Sequence, residues 1–268
     1  MVMPIARAHR LRHARITVNT LLQQLYRPLE LIVVNATGQP VFTRSTEQAP
    51  FPLQEIMVTA SDWRQSSPAT MRNRGILAAS GAYILPVDDD DYSHPNRILH
   101  QMAAIVGSGS AASCLRHQIR FDCHNRHLRI VERADGIPGT LLFAKRLFAD
   151  REQAPYNEEL LQDEDLDLHA EIAERTTLRV LDNGMPVFPG PALSIAFHHG
   201  DNIQPREVFF GEEEPAADWK DPSLLRSRPH REFLAAALLP YGFRVSVKDD
   251  PYAQENSSVE SSEGPPAD

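Results

Sequence analysis

The sequence predicts an α/β fold built on a central, mostly parallel sheet, and three observations predict it. Apolar segments at Met1 to Ile5 and Leu29 to Val34 flank a stretch, Ala8 to Leu25, in which Leu11, Ile16, Val18, Leu21, Leu22 and Leu25 recur near helical spacing. Strand, helix and strand in that order open an α/β domain. A further apolar segment, Ala82 to Val87, follows another helical stretch and ends in four consecutive carboxylates, Asp88 to Asp91. Open α/β sheets bind their ligands beyond the carboxyl ends of strands, which is where this cluster falls.

The remaining elements follow in order. Gln39 to Gln54 is rich in Pro, Thr, Ser and Gln and reads as loop, and Glu55 to Thr59 reads as a short strand. Pro68 opens the helix that carries Arg72 and Arg74 toward Gly81. Pro95 to Ile105 has helical spacing at Ile98, Met102 and Ile105, and Gly107 to Gly109 ends it. Ala111 to Arg120 and Leu128 to Glu132 read as two strands around the turn at Asp122 to Arg126. Cys114, His117, Cys123, His124 and His127 fall on this hairpin, but residues three apart on a strand face opposite sides and no compact C-x2-C pair is present, so buried thiols and surface histidines are the reading. Tyr156 to Arg175 gives a helical face at Leu161, Leu168 and Ile172, preceded by Asp163, Glu164, Asp165 and Asp167. Thr177 to Leu181, Val187 to Phe188 and Ala192 to Phe197 read as short strands, and Pro222 to Leu239 as a helix.

Four adjacent aspartates raise one another's pKa unless positive charge sits among them. A solvated turn capping the next helix is one reading, and a cation site is the other. On an extended backbone Asp88 and Asp90 would face one way and Asp89 and Asp91 the other, giving a pair of carboxylates on one side. Hard divalent ions, Mg²⁺ or Mn²⁺, take such oxygens, and Mg²⁺ commonly adds the oxygens of a substrate phosphate.

The residues carry a resemblance. Arg72, Asn73, Gly75, Ala79, Gly81, Tyr83, Ile84, Asp88, Asp90 and Asp91 stand where family 2 glycosyltransferases of the GT-A fold read A-R-N-x-G, A-x-G-x-Y-[IL] and L-D-x-D-D. LLQQLYRPLELIVVN is similar to that family's second strand and its approach, GIPGTLLFAKRLF to its acceptor-side segment, and Glu164-Asp165 to its E-D pair. The resemblance covers about the first 200 residues and implies a nucleotide-diphospho-sugar transferase with a single Rossmann-like GT-A domain. It implies inverting transfer from a UDP-, GDP- or dTDP-linked sugar to an acceptor that the sequence does not identify. It further implies Asp165 as catalytic base with Glu164 second, Mn²⁺ or Mg²⁺ at Asp90 with help from His199, and donor contacts from Pro4, Asn35, Arg72, Asp88 and Asp89. Two departures stand out: Pro4 is followed by Ile5, Ala6 and Arg7 where the family has P-x-Y-N, and Asn35 to Gly38 replace its D-D-G-S. They keep open a non-catalytic binding or scaffold protein on the same fold. A nucleotidyltransferase is the third reading, and the first strand lacks the glycine-rich phosphate loop it would bring.

Composition bounds the rest. With 268 residues and 42% hydrophobic content the chain can build a proper core. A net charge of −9 argues against nonspecific nucleic-acid binding. Two cysteines suit a reducing compartment, no apolar run approaches a transmembrane span, and no signal peptide precedes the first strand, so a cytoplasmic protein is expected. The expected organisation is a GT-A-like domain over 1–205, a linker and helical appendage over 206–248 that offers a surface to a protein partner, and a disordered acidic tail over 249–268.

Overall fold

The structure is a computed structural model that describes residues 1–43, 46–59, 64–124, 127–150, 154–160, 162–184, 190–199, 202 and 228–243. The chain divides into two compact units, Met1–Trp219 and Lys220–Asp268. In the second, α5 (Arg228–Leu238) carries Leu234, Ala237 and Leu238 at helical spacing. The expected strand at Val187 to Phe188, the linker over 211–221 and the acidic tail lie outside the described residues.

The first unit opens as the apolar pattern predicts. β1 (Val2–Ile5) pairs in parallel with β2 (Leu31–Asn35), which pairs in parallel with β3 (Leu53–Met57). β1 and β2 are buried along their whole length, so they read as continuous apolar runs rather than alternating ones. Helix α1 (Leu11–Leu21), entered through a 3-10 turn at Ala8–Arg10, packs its apolar face into the core over β1 and β2, and is shorter than its periodicity suggests. Of the apolar segment Ala82 to Val87 only Tyr83–Ile84 forms a regular strand, β4, and Pro86 beyond it has no N–H for a ladder. The segment still follows β1 through Val2 N to Leu85 O at 3.0 Å and Val87 N to Val2 O at 2.9 Å.

A single bridge from Val2 to Pro86 links the sheet of β1 to β3 to a second one, in the order β4, β9 (Leu142–Ala144), β6 (Ala112–Leu115), β10 (Leu178–Leu181), with β6 and β10 parallel. A third sheet has the order β5 (Tyr92–Ser93), β11 (Ser194–His198), β7 (His117–Asp122), β8 (His127–Glu132). The single strand expected over Ala111 to Arg120 is therefore two strands in two sheets. Helix α3 (Arg97–Ser108) runs through Gly107 and ends at Gly109, whose φ of 70° is left-handed. Gly136, at φ 90°, lies where a Cβ would meet Cys114 Sγ at 1.9 Å, so this glycine of the G-I-P-G segment serves the turn and its packing.

Helix α2 (Pro68–Ala78) is started by Ser67, whose hydroxyl accepts from Thr70 N at 3.2 Å with Pro68 at the first turn. Its R-N-x-G string divides three tasks. Arg72 enters the site described below. Asn73 ties down the segment at 156–158, with Nδ2 to Tyr156 O at 2.8 Å and to Glu158 Oε1 at 2.9 Å, and Oδ1 accepting from Tyr156 N at 2.9 Å. Gly75 lets the helix lie against the sheet, since a Cβ there would stand 2.4 Å from Val2 Cγ1 and 3.2 Å from Val34 Cγ2. Gly75→Ala is expected to destabilise the protein by about 1–2 kcal/mol. Overpacking beside a fully buried valine costs roughly 1–3 kcal/mol and exceeds the gain of about 1 kcal/mol in helix propensity. Urea denaturation checks it, and an unchanged midpoint would mean that β1 yields freely.

Candidate active site

The carboxyl end of β1, the aspartate run, the amino end of α4 (Glu164–Arg175) and one face of the β7–β8 hairpin enclose a cleft of about 790 Å³. Pro4, Arg72, Asp88 to Asp91, Glu164 and Asp165 all line it.

The aspartates do not continue as a strand. Pairing with β1 ends at Val87 and pairing of Tyr92 with Ile195 of β11 begins in the third sheet, so the chain must turn between them. Asp91 N approaches Asp88 O at 3.5 Å across that turn. The predicted alternation therefore fails, and Asp89 and Asp90 share one partner while Asp88 faces another. Arg10 Nε reaches Asp89 Oδ2 at 3.1 Å, and its terminal nitrogen lies 2.5 Å from both Asp89 Oδ1 and Asp90 Oδ2. His199 Nε2 donates to Asp90 Oδ2 at 2.9 Å, and Asn202 Nδ2 lies 3.4 Å from the same oxygen. His13 stacks on His199 with ring centroids 4.5 Å apart. Thr17 Oγ1 holds the turn from below, 3.1 Å from Asp89 O and 3.0 Å from Asp91 O. Arg10, His13 and Thr17 sit about three and four residues apart, so one face of α1 and its entry grips the turn.

Burial opposes ionisation of Asp90, but the hydrogen bond from His199 and the charge of Arg10 outweigh it and hold the carboxyl below the ordinary range. Burial and the neighbouring Asp90 push Asp89 up to about 7 against the pull of Arg10. Burial and the adjacent carboxylates raise Asp91 well above the usual value. Of the three buried acids of the turn, Asp90 alone is held below the ordinary carboxylate range.

On the opposite side Arg72, almost wholly buried, joins the two acid clusters. It bonds Asp88 Oδ1 at 2.6 Å and Glu164 Oε1, and lies 3.5 Å from Asp165 Oδ2. Tyr156 Oη donates to Asp165 Oδ1 at 3.1 Å, and its ring lies 5.3 Å from the Arg72 guanidinium carbon. Burial pushes the Asp165 carboxyl up to about 6; Arg72 and the Tyr156 hydrogen bond pull it down, and Asp88 and Glu164 push it up. Sequence reasoning places Arg72 on the donor, whereas its guanidinium is committed to three carboxylates of the protein.

Asn35, expected at the donor, lies apart from the cleft. Its side chain donates to Glu55 Oε1 at 2.6 Å and Gln39 O at 2.8 Å and accepts from Thr37 N at 2.8 Å, it is fully buried, and it does not line the cleft. Both amide hydrogens are used and the group is buried away from the cleft, so it presents no donor to a base there. Along the hairpin, Gln118 and Arg120 of β7 and Arg129 to Glu132 of β8, with Arg133 just beyond it, line the cleft, and Arg120 is directly opposite Arg129. That wall carries three arginines and one glutamate.

Comparison with known proteins now identifies the architecture. Residues 13–159 match the family model of glycosyl transferase family 2. The chain belongs to glycosyl transferase family 2. Its GT-A fold is shared with S. aureus TarS 1–349 in complex with UDP-GlcNAc, at a TM-score of 0.57 and 15% identity over 89% of this chain and 66% of that one. It is shared too with the mannosyltransferase PcManGT from Pyrobaculum calidifontis in complex with GDP-Man and Mn²⁺, at 0.51 and 13% over 74% and 55%. The chain spans 59% of a second TarS 1–349 structure and 43% of the longer TarS chain. No curated protein sequence matches it.

In this family 2 chain, Asp88 to Asp91, Glu164, Asp165, Arg72 and Pro4, named from the sequence, line one cleft, and His199 reaches Asp90. Sequence reasoning did not single out Arg10, Thr17 or Tyr156, which contact Asp89 to Asp91 or Asp165, or His13, which stacks on His199. A polar residue recurring on the α1 face at three- and four-residue steps was the signal for Arg10, His13 and Thr17, and nothing local marked Tyr156. Among the described residues no group of three or more His, Cys, Asp and Glu side chains is arranged to hold a metal. Asp90 Oδ2 and His199 Nε2 are joined by a hydrogen bond of 2.9 Å, and the imidazole would have to give up that proton before both atoms could hold an ion. Carboxylate and imidazole both suit Mn²⁺. No helix among the described residues is long and apolar enough to cross a membrane.

Proposed function

We infer that the protein transfers a sugar from a nucleoside-diphosphate donor to an acceptor hydroxyl with inversion at the anomeric carbon. The observation that carries this reading is Arg72, which ties Asp88 of the turn to Glu164 and Asp165 and so brings both acid clusters to one cleft. The bound nucleotide sugars of TarS and PcManGT support the donor class.

In this reading the turn end of the cleft takes the diphosphate and the α4 end takes the acceptor. Asp165 accepts the proton of the acceptor hydroxyl, whose oxygen forms a bond to the anomeric carbon as the bond from that carbon to the diphosphate oxygen breaks; the diphosphate leaves with the electron pair. Tyr156 and Arg72 fix the Asp165 carboxylate, and Glu164 stands beside it on the same guanidinium. Asp88, the most exposed acid of the turn at 42%, faces the donor, with Pro4 and Asp89 along the same wall. Asp90 and His199 would hold Mn²⁺ or Mg²⁺, which when bound supplies positive charge to the departing diphosphate. The arginines of the β7–β8 face make an acceptor bearing phosphate or carboxylate the first class to screen. A cytoplasmic location belongs to the same proposal, since both cysteines are free thiols. The helical appendage is proposed to meet a protein partner.

Titration calorimetry of the full chain with UDP, GDP and dTDP, each with and without Mn²⁺, tests this. One nucleotide is expected to bind in a metal-dependent way, and Asp90→Ala to weaken that binding at least tenfold. If none binds under either condition, the non-catalytic reading on the same fold takes its place. The inward commitment of Asn35 is the observation that favours it.

A further inference from the structure

Arg10 stands where a cation belongs. Its guanidinium spans two carboxylates, with contacts at 3.1 and 2.5 Å to Asp89 and 2.5 Å to Asp90, and only 12% of its side chain is exposed. The oxygen of Asp90 that it touches is the one that receives His199. Arg10 thus covers the Asp90–His199 pair that would hold a divalent ion. A guanidinium bonded to that oxygen and a divalent ion bonded to it exclude one another, through both the shared lone pairs and like-charge repulsion. Yet Arg10 is placed to leave. It sits at the entry to α1, it lines the cleft, and Arg is the side chain best matched to bidentate contact with phosphate oxygens.

We propose that Arg10 is an exchangeable resident cation: it neutralises Asp89 and Asp90 while the cleft is empty, and an arriving diphosphate draws its guanidinium off Asp90, opening Asp90 and His199 to the metal. Arg10 then becomes a donor-positioning residue on the diphosphate. Metal and diphosphate bind together, and metal alone binds poorly. The inference rests on the metal reading above.

The test follows Mn²⁺ alone, by the electron paramagnetic resonance of the free ion, titrated into the full-length protein and into Arg10→Gln, with and without inorganic pyrophosphate as the diphosphate probe. Arg10→Gln is expected to bind Mn²⁺ alone at least tenfold more tightly than the wild type. Pyrophosphate, after correction for its own Mn²⁺ complex, is expected to strengthen binding at least tenfold more in the wild type than in the variant. Equal Mn²⁺ affinity in the two proteins overturns the exchange and leaves the metal site standing. Absence of Mn²⁺ binding in both, with and without pyrophosphate, overturns the metal reading itself and the exchange with it. Should Arg10→Gln not fold, Arg10→Lys keeps a charge without the fork. It is expected to bind Mn²⁺ alone at least threefold more tightly than the wild type, and an unchanged affinity overturns the proposal.

Discussion

Asp165→Asn is expected to lower the rate of nucleoside-diphosphate release from the donor by roughly 10²–10⁴-fold, the range a positioned general base contributes. Nucleotide affinity should stay within about threefold, because that contribution belongs to proton transfer rather than donor binding. The amide keeps the shape of the carboxylate and its contact with Tyr156 but cannot take a proton. The wild-type pH profile gives an independent reading of the same group. Burial raises the Asp165 carboxyl to about 6, and a base acts only when ionised. kcat/KM is therefore expected to fall about tenfold per pH unit below pH 6 and to level off above it. Tyr156→Phe removes a hydrogen bond that favours the ionised form, so its inflection should move to higher pH with the plateau less affected. A profile flat between pH 5 and 7 would take the base role away from Asp165.

Arg72→Met carries the second large effect. It leaves Asp88, Glu164 and Asp165 facing one another without their shared counter-charge. Removing one partner of a buried ion pair costs about 3–5 kcal/mol. With Asp88 42% exposed, water takes up part of the loss, so roughly 3 kcal/mol is expected in urea denaturation. The loss should ease as pH falls and the carboxylates protonate, because the penalty is the repulsion among ionised groups. The acid limb of the activity profile should move upward too, since Arg72 holds the Asp165 carboxyl down. Arg72→Lys is expected to recover little, since one ammonium cannot span the separate bonds that the planar fork makes to Asp88 and Glu164. Wild-type stability in Arg72→Met would show that the bridge between the clusters is incidental.

Much of this was legible in the linear chain for a physical reason. Buried parallel strands must be continuous apolar runs and helices must repeat near 3.6 residues, so the order β1, α1, β2 and the strand leading to the aspartates could be read directly. The string Arg72, Asn73, Gly75 was legible as a motif, and the structure gives each member its cause in a carboxylate bridge, a tether to Tyr156 and a close approach to Val2. What the sequence by itself determined was local: which segments are strand or helix, which chemical groups end them, and which family they resemble. Only the tertiary structure decided who meets whom. Arg10 and Asp89 are 79 residues apart, His199 and Asp90 are 109, and Arg72 and Glu164 are 92. The turn of Asp88 to Asp91 follows from a change of sheet, which no periodicity announces, and the inward rotation of Asn35 follows from Glu55 on the neighbouring strand. Such partnerships depend on sheet order and on competition among polar groups for buried hydrogen bonds, and both exist only once the chain has closed on itself.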